Sequence, residues 1–144
     1  MDDKLEMFAA YIRELRKIRN EPVWFVEICS MFREVQEAIK DGAWEWVDVE
    51  GVGFIVISKS VDRYPGCDYY IIDAYIDPAN RRKGLMKKAI MEYARTHKGK
   101  YCLEIINNNS VAQKFWQSIG KLHIIKDWHT EDYKCTPYWI EIGG

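Results

Sequence analysis

Between Ile76 and Met86 the chain reads Ile-Asp-Pro-Ala-Asn-Arg-Arg-Lys-Gly-Leu-Met. An apolar strand ends there, a proline turn follows, and a helix begins beside a basic loop that holds a glycine. The chemistry this favours is anion binding. The first amides of a helix have no partner inside it, and the helix dipole adds partial positive charge at that end. Gly84 lets backbone approach a ligand closely. Arg81, Arg82 and Lys83 add formal charge, and Lys87 and Lys88 follow one turn on. The segment has neither the GxxxxGK[ST] of a Walker loop nor the three glycines of a dinucleotide fingerprint. It reads as a phosphate cradle of another kind, although the same residues would equally suit a solvated basic helix face.

Two carboxylates stand on otherwise apolar strands, where burial raises a carboxyl pKa toward values useful for a base. Glu104 sits in Leu103-Glu104-Ile105, and Asp73 interrupts Tyr70-Ile71-Ile72-Asp73-Ala74-Tyr75. Glu104 is either a base or an edge residue paired to a lysine. Asp73 is a base acting through water, an anchor for a substrate amine, or a solvent-facing residue of a half-exposed strand. Tyr133 and Tyr138 carry hydroxyls that could serve as acids. The four cysteines (Cys29, Cys67, Cys102 and Cys135) form no CxxC pair. Neither His123 nor His129 has a cysteine at finger spacing, so no metal site is expected.

Around these residues the hydrophobic periodicity sets the elements. Leu5, Phe8, Ala9, Ile12 and Leu15 share one face of a helix, and Ile28, Met31, Phe32, Val35 and Ile39 share one face of a second. Asn20-Glu21-Pro22 separates the two. Trp44 to Val49 and Val52 to Ile57 read as a hairpin, and Tyr69 to Ile76 as a third strand ended by Asp77-Pro78. Leu85, Met86, Ala89, Ile90, Tyr93 and Ala94 form the stripe of a third helix. Tyr101 to Ile106 is a fourth strand, and Ser110 to Ser118 a short helix closed by Gly120. Leu122 to Lys126 and Tyr138 to Ile142 complete the order ααβββαβαββ, an α/β fold with a mixed sheet. With no linker or repeat, residues 1–144 read as a single domain.

A strand ending in Ile-Asp-Pro, then Arg81-x-x-Gly84, then an amphipathic helix resembles the acyl-CoA-binding motif of the GCN5-related N-acetyltransferases. Farther on, Asn109-Ser-Val-Ala112-Gln-Lys-Phe115-Trp116-Gln-Ser-Ile-Gly120 is similar to that family's N-x-x-A-x-x-(F/L)-Y-x-x-x-G-F motif. Val52-Gly53-Phe54-Ile55 looks like its early strand. The resemblance covers about residues 42–142. It implies acetyl-CoA as cofactor, a central sheet splayed at the third strand, and transfer of the acetyl group to a primary amine by direct attack. The amides of Arg82, Lys83, Gly84, Leu85 and Met86 would hold the diphosphate, and Arg81 matches the Arg/Gln at that loop. Ile76 would line the pantetheine arm, with Asn109 and Phe115 beside it. Leu103-Glu104-Ile105 is similar to the segment that carries the base of ribosomal-protein N-terminal acetyltransferases. The sequence departs from the pattern at Met86, where the family prefers a small residue, and at Trp116, where many members carry a tyrosine acid. Lys121 replaces the usual Phe, and no strand is visible before the first helix. The position 116 departure leaves open a non-catalytic acyl-CoA-binding module in the same fold.

Composition narrows the partners. Of 144 residues, 48% are apolar and 30% charged, which excludes a disordered or low-complexity chain. The longest apolar run, Val52 to Ile57, falls far short of the ~20 residues that cross a bilayer. The start carries no apolar signal region, so the expected compartment is the cytoplasm, without membrane attachment. The net charge of −1 gives no general case for nucleic acid. Charge is uneven, however: residues 1–50 carry 7 Lys/Arg against 12 Asp/Glu, and residues 81–100 carry 8 against 1. An acidic N-terminal part suits a cationic amine acceptor, on a small molecule or a protein. A homodimer is left open.

Overall fold

The computed structural model describes residues 3–59, 66–126 and 134–143. Two amphipathic helices come first: α1 (Asp3–Ile18) and α2 (Phe25–Lys40). The hairpin strands β1 (Trp44–Val49) and β2 (Gly53–Ser58) lead to β3 (Tyr69–Ile76). A short 3-10 turn at Pro78–Asn80 precedes α3 (Leu85–Thr96) and β4 (Gly99–Ile106). Last come α4 (Ser110–Gln117), β5 (His123–Ile124) and β6 (Cys135–Ile142). This is the ααβββαβαββ order, laid out as a six-stranded sheet in the order β1-β2-β3-β4-β6-β5.

The sheet has a helix pair on each face. Phe8, Ala9, Tyr11 and Ile12 of α1 and Ile28, Phe32 and Val35 of α2 pack on Phe54, Val56 and Tyr75. Phe54 is the centre of this side, with Trp46 stacked on it at 4.2 Å and Tyr11 edge-on at 5.6 Å. Removing a ring so enclosed costs about 3–5 kcal/mol. On the other face, Ile90, Tyr93 and Ala94 of α3 and Trp116 of α4 cover Ile55, Ile57, Ile71, Leu103, Ile105 and Ile140. Gly53 is obligatory here, because a Cβ would lie 2.2 Å from the Tyr75 carbonyl oxygen.

Two features of the sheet matter for the site. First, β3 and β4 are parallel neighbours but pair only at Tyr69↔Tyr101 and Tyr70↔Cys102. Beyond these, β3 stays with β2 and β4 stays with β6, so a crevice opens at the carboxyl ends of the two parallel strands. That is where ligands bind in open α/β sheets. The splay falls on the third strand, as the resemblance implies. Second, β2 and β3 shift register between Val56 and Ile57: Val56 pairs with Asp73, and Ile57 with Ile71. The extra residue is a bulge, which turns two neighbours onto one face. Ile71 packs on the α3 side, while Ile72 joins the α1–α2 cluster.

The last two strands differ from the sequence expectation. β5 is only His123–Ile124, and β6 begins at Cys135 and runs through Pro137. The Pro137 carbonyl accepts from the Ile125 N–H at 3.0 Å. In an antiparallel ladder a residue's N–H and C=O point to the same side. The donor that proline lacks therefore falls on the β5 side, where pairing is ending, and the ladder to β4 is unbroken.

Candidate active site

The loop that leaves β3 is closed on itself. The Asp77 N–H donates to the Val52 carbonyl at 2.8 Å, and the Asp77 side chain accepts from the Ala79 N–H. The Asn80 N–H returns to Asp77 at 2.8 Å and the Arg81 N–H to Pro78 at 3.4 Å. From Arg82 onward this changes. Among the described residues, no hydrogen bond takes the amides of residues 82–87. The next amide bond is helical, from the Lys88 N–H to the Gly84 carbonyl at 3.0 Å. Gly84 caps α3 without a side-chain bond, and the first turn holds no acid. Six consecutive donors at a helix start, with no built-in anion, suit a diphosphate. Arg82 (φ 66°) and Gly84 (φ 75°) are both left-handed, a backbone that is strained at a non-glycine residue.

The side chains of this loop divide. Lys83 Nζ reaches the Asn80 carboxamide oxygen at 3.2 Å, and Lys87 Nζ reaches the Ser118 carbonyl at 3.0 Å, bridging α3 to the end of α4. Arg81 turns away from the open amides. Its Nε donates to the Ile76 carbonyl at 2.8 Å, and its Nη2 to both Glu14 oxygens at 2.9 and 2.7 Å. The guanidinium also lies over the Tyr75 ring. Met86 is half-buried with Leu85 against the α3-side core. Asn109 is the N-cap of α4, its oxygen accepting from the Ala112 N–H at 3.1 Å. Phe115 is half-buried on the same core, edge-on to Trp116 at 5.1 Å. Trp116 is buried, so no hydroxyl stands where the resemblance puts an acid.

The three catalytic candidates fall on two faces. Asp73 faces α1, where the Tyr11 hydroxyl hydrogen-bonds its carboxyl. Burial pushes the Asp73 carboxyl up to about 6, and the Tyr11 bond pulls it partly back. Tyr11 in turn is raised by burial and by the charge of Asp73, with Tyr70 and Cys135 facing it from β3 and β6. Glu104 lies on β4 opposite Pro137, half-buried, between the core-facing Leu103 and Ile105. Strand alternation therefore puts it on the same side of the sheet as α1. Tyr138 packs with the cluster on the α3–α4 side, so the structure does not bring it to the two carboxylates. Tyr133 lies outside the described residues. Among the described residues, no group of three metal-ligating side chains forms.

Sequence reasoning missed Tyr11 and Glu14. Tyr11 lies three residues after Phe8 on the buried stripe of α1, so a hydroxyl on an apolar face was a usable signal. Glu14 gave none, because nothing local tells which of the acidic residues on the first two helices meets a residue 67 positions away.

Residues 9–120 match the Acetyltransferase (GNAT) family. No curated protein matches the chain. Among solved structures, an acetyltransferase from Thermus thermophilus has a TM-score of 0.70 at 18% identity, covering 96% of this chain and 88% of that one. PaiA N-acetyltransferase from Thermoplasma acidophilum, in complex with coenzyme A, has a TM-score of 0.65 at 13% identity, covering 96% and 91%. Ard1 from Thermoplasma volcanium has a TM-score of 0.57 at 20% identity, covering 99% and 94%. Identities this low speak for the fold alone. No helix among the described residues is long and apolar enough to cross a membrane.

Proposed function

The chain belongs to the acetyltransferase (GNAT) family and is an acyltransferase, and from that premise we propose that it moves an acetyl group from acetyl-CoA to a primary amine. One observation supports the reading: among the described residues no hydrogen bond takes the six amides of residues 82–87, on the segment that follows β3 after it has parted from β4. Those donors, with Arg82 and Lys83 beside them, would hold the diphosphate. Ile76, Met86, Asn109 and Phe115 would line the pantetheine arm. Asn109 offers its Nδ2, since its oxygen is engaged in capping α4.

Acetyl-CoA supplies, when bound, a thioester carbonyl and a thiol of ordinary pKa, ~8.5, able to leave near neutral pH without an acid. Trp116 in place of tyrosine is therefore tolerable, since a general acid contributes only ~10²–10⁴-fold. The demand on the protein is a neutral amine. Asp73 meets it: a carboxylate with a pKa of about 6 is ionised at neutral pH yet basic enough to take a proton. It does so through water, since it is only half-buried. Glu104, on the same face, is the second candidate base. The acceptor is a cationic amine, on a small molecule or a protein N-terminus or lysine. Helices α1 and α2 belong to the acidic residues 1–50, which carry 7 Lys/Arg against 12 Asp/Glu.

Calorimetry with coenzyme A, followed by acetylation of a panel of cationic, neutral and anionic acceptors, tests the reading. Heat on binding and turnover with cationic amines are expected. Absence of binding heat overturns the proposal. Heat without turnover across the panel favours the non-catalytic module, for which the buried Trp116 is the supporting observation.

A further inference from the structure

Arg81 stands where the motif has Arg or Gln, and its guanidinium is engaged by three other groups. Nε closes the loop onto the Ile76 carbonyl at 2.8 Å, five residues back. Nη2 is shared between both oxygens of Glu14 at 2.9 and 2.7 Å. The ring of Tyr75 lies beneath, 5.6 Å from the guanidinium carbon. A planar, permanently charged group satisfies these three geometries together, where a lysine would meet one at a time. The next residue, Arg82, is left-handed (φ 66°), a conformation that is strained outside glycine. Arg81, the residue before it, ties the loop to the end of β3 and to α1.

We propose that Glu14 of α1 is a positioning residue for the cofactor loop: by fixing Arg81 it sets the left-handed turn that presents the amides of residues 82–87. The proposal rests on reading those amides as the diphosphate site. It makes Arg81 a strut rather than a phosphate ligand, its charge already matched by Glu14. The remaining cations at the loop are Arg82 and Lys83, and Lys83 meets the neutral Asn80. It also links the two halves of the site, because Tyr11, one turn earlier on α1, meets Asp73.

The two roles for Arg81 predict opposite signs for Glu14→Gln. If Arg81 is a strut, losing the Glu14 charge loosens the loop and weakens coenzyme A binding by roughly twofold to fivefold. If Arg81 is a direct ligand, removing its competing carboxylate leaves binding unchanged or tighter. Calorimetry of the apo protein with coenzyme A therefore decides, using Glu14→Gln, Arg81→Ala and the double variant. The double should bind no worse than the poorer single, since both act through one contact. Hydrogen exchange of residues 77–88 in the apo protein should quicken in Glu14→Gln, with unchanged exchange in α2. In turnover, KM for acetyl-CoA rises while kcat holds, and Glu14→Asp restores part of the affinity. Unchanged or tighter binding by Glu14→Gln, fully additive losses, or an unaltered loop exchange rate overturns the proposal. Absence of any binding by the unmodified protein would instead defeat the functional reading, while the exchange experiment would still judge the strut.

Discussion

Replacing Asp73 by Asn should make the protein more stable and less active. Burial holds the Asp73 carboxyl at about 6 rather than its ordinary value of 3.8. Two pKa units of difference between folded and unfolded chain correspond to about 3 kcal/mol. The sign follows from proton counts. Between the two values the folded protein keeps the proton that the unfolded chain has released, so stability falls as pH rises. The loss accumulates from about pH 4 to pH 6 and is complete at neutral pH. Asparagine has no charge to desolvate and still offers an oxygen to Tyr11, but it buries an amide group, so the net gain at pH 7 should be about 1–3 kcal/mol. Urea denaturation at pH 4 and pH 7 measures it: the variant should gain at pH 7 and little or nothing at pH 4. Acetylation should fall by ~10²-fold or more, as expected for loss of a base. Tyr11→Phe adds an independent sign. It removes the hydrogen bond that lowers the Asp73 pKa, so the acid limb of kcat/KM should move to higher pH. A variant Asp73→Asn that is destabilised at pH 7, or that acetylates at the original rate, refutes the reasoning.

Other consequences follow from single contacts. Gly84→Ala meets no atom within 4 Å but must hold φ 75°, so it should cost about 1–2 kcal/mol in thermal melts and weaken coenzyme A binding; an unchanged affinity would show that the turn does not present the amides. Asn109→Ala should lose about 1 kcal/mol with the α4 cap, while Asn109→Asp keeps the cap, loses the Nδ2 donor and adds a negative charge that repels the anionic cofactor. If Asn109→Asp binds coenzyme A normally, the pantetheine role of Asn109 fails. Burial pushes the Cys102 thiol well above its ordinary range, so iodoacetamide at pH 8 should leave it unmodified until the protein unfolds; labelling at the rate of a free thiol in the native protein would contradict this.

Much of the fold was legible because its signals are local. The stripe from Leu5 to Leu15 and the stripe from Leu85 to Ala94 each lie on one helix face, and both helices pack that face on the sheet. The hairpin was marked by Glu50-Gly51, both left-handed in the turn. The end of the sheet was less legible. Proline at position 137 argues against a strand, and only the direction of its carbonyl shows why it is harmless there. The open amides before α3 could be read because helix starts leave donors open whatever their tertiary setting. The two arginines of this loop are equal in sequence, and only the fold separates them: Arg81 meets Glu14, the Ile76 carbonyl and the Tyr75 ring, while Arg82 takes the left-handed turn.

The same limit explains Asp73. In a regular strand, residues two apart point to one face. Asp73 would then share the face of Ile71, inside the apolar core beneath α3, where a carboxylate has no partner. The solvent-facing alternative was the reasonable escape from that cost. The structure takes a third route. The bulge beside Ile72 uses one residue to rotate Asp73 to the α1 side, where a single hydroxyl awaits it. A bulge depends on how two strands pair, so it leaves no mark in the residues of either strand alone. Burial of a carboxylate beside the Tyr11 hydroxyl lowers stability at neutral pH, and a raised carboxyl pKa is what the proposed base requires.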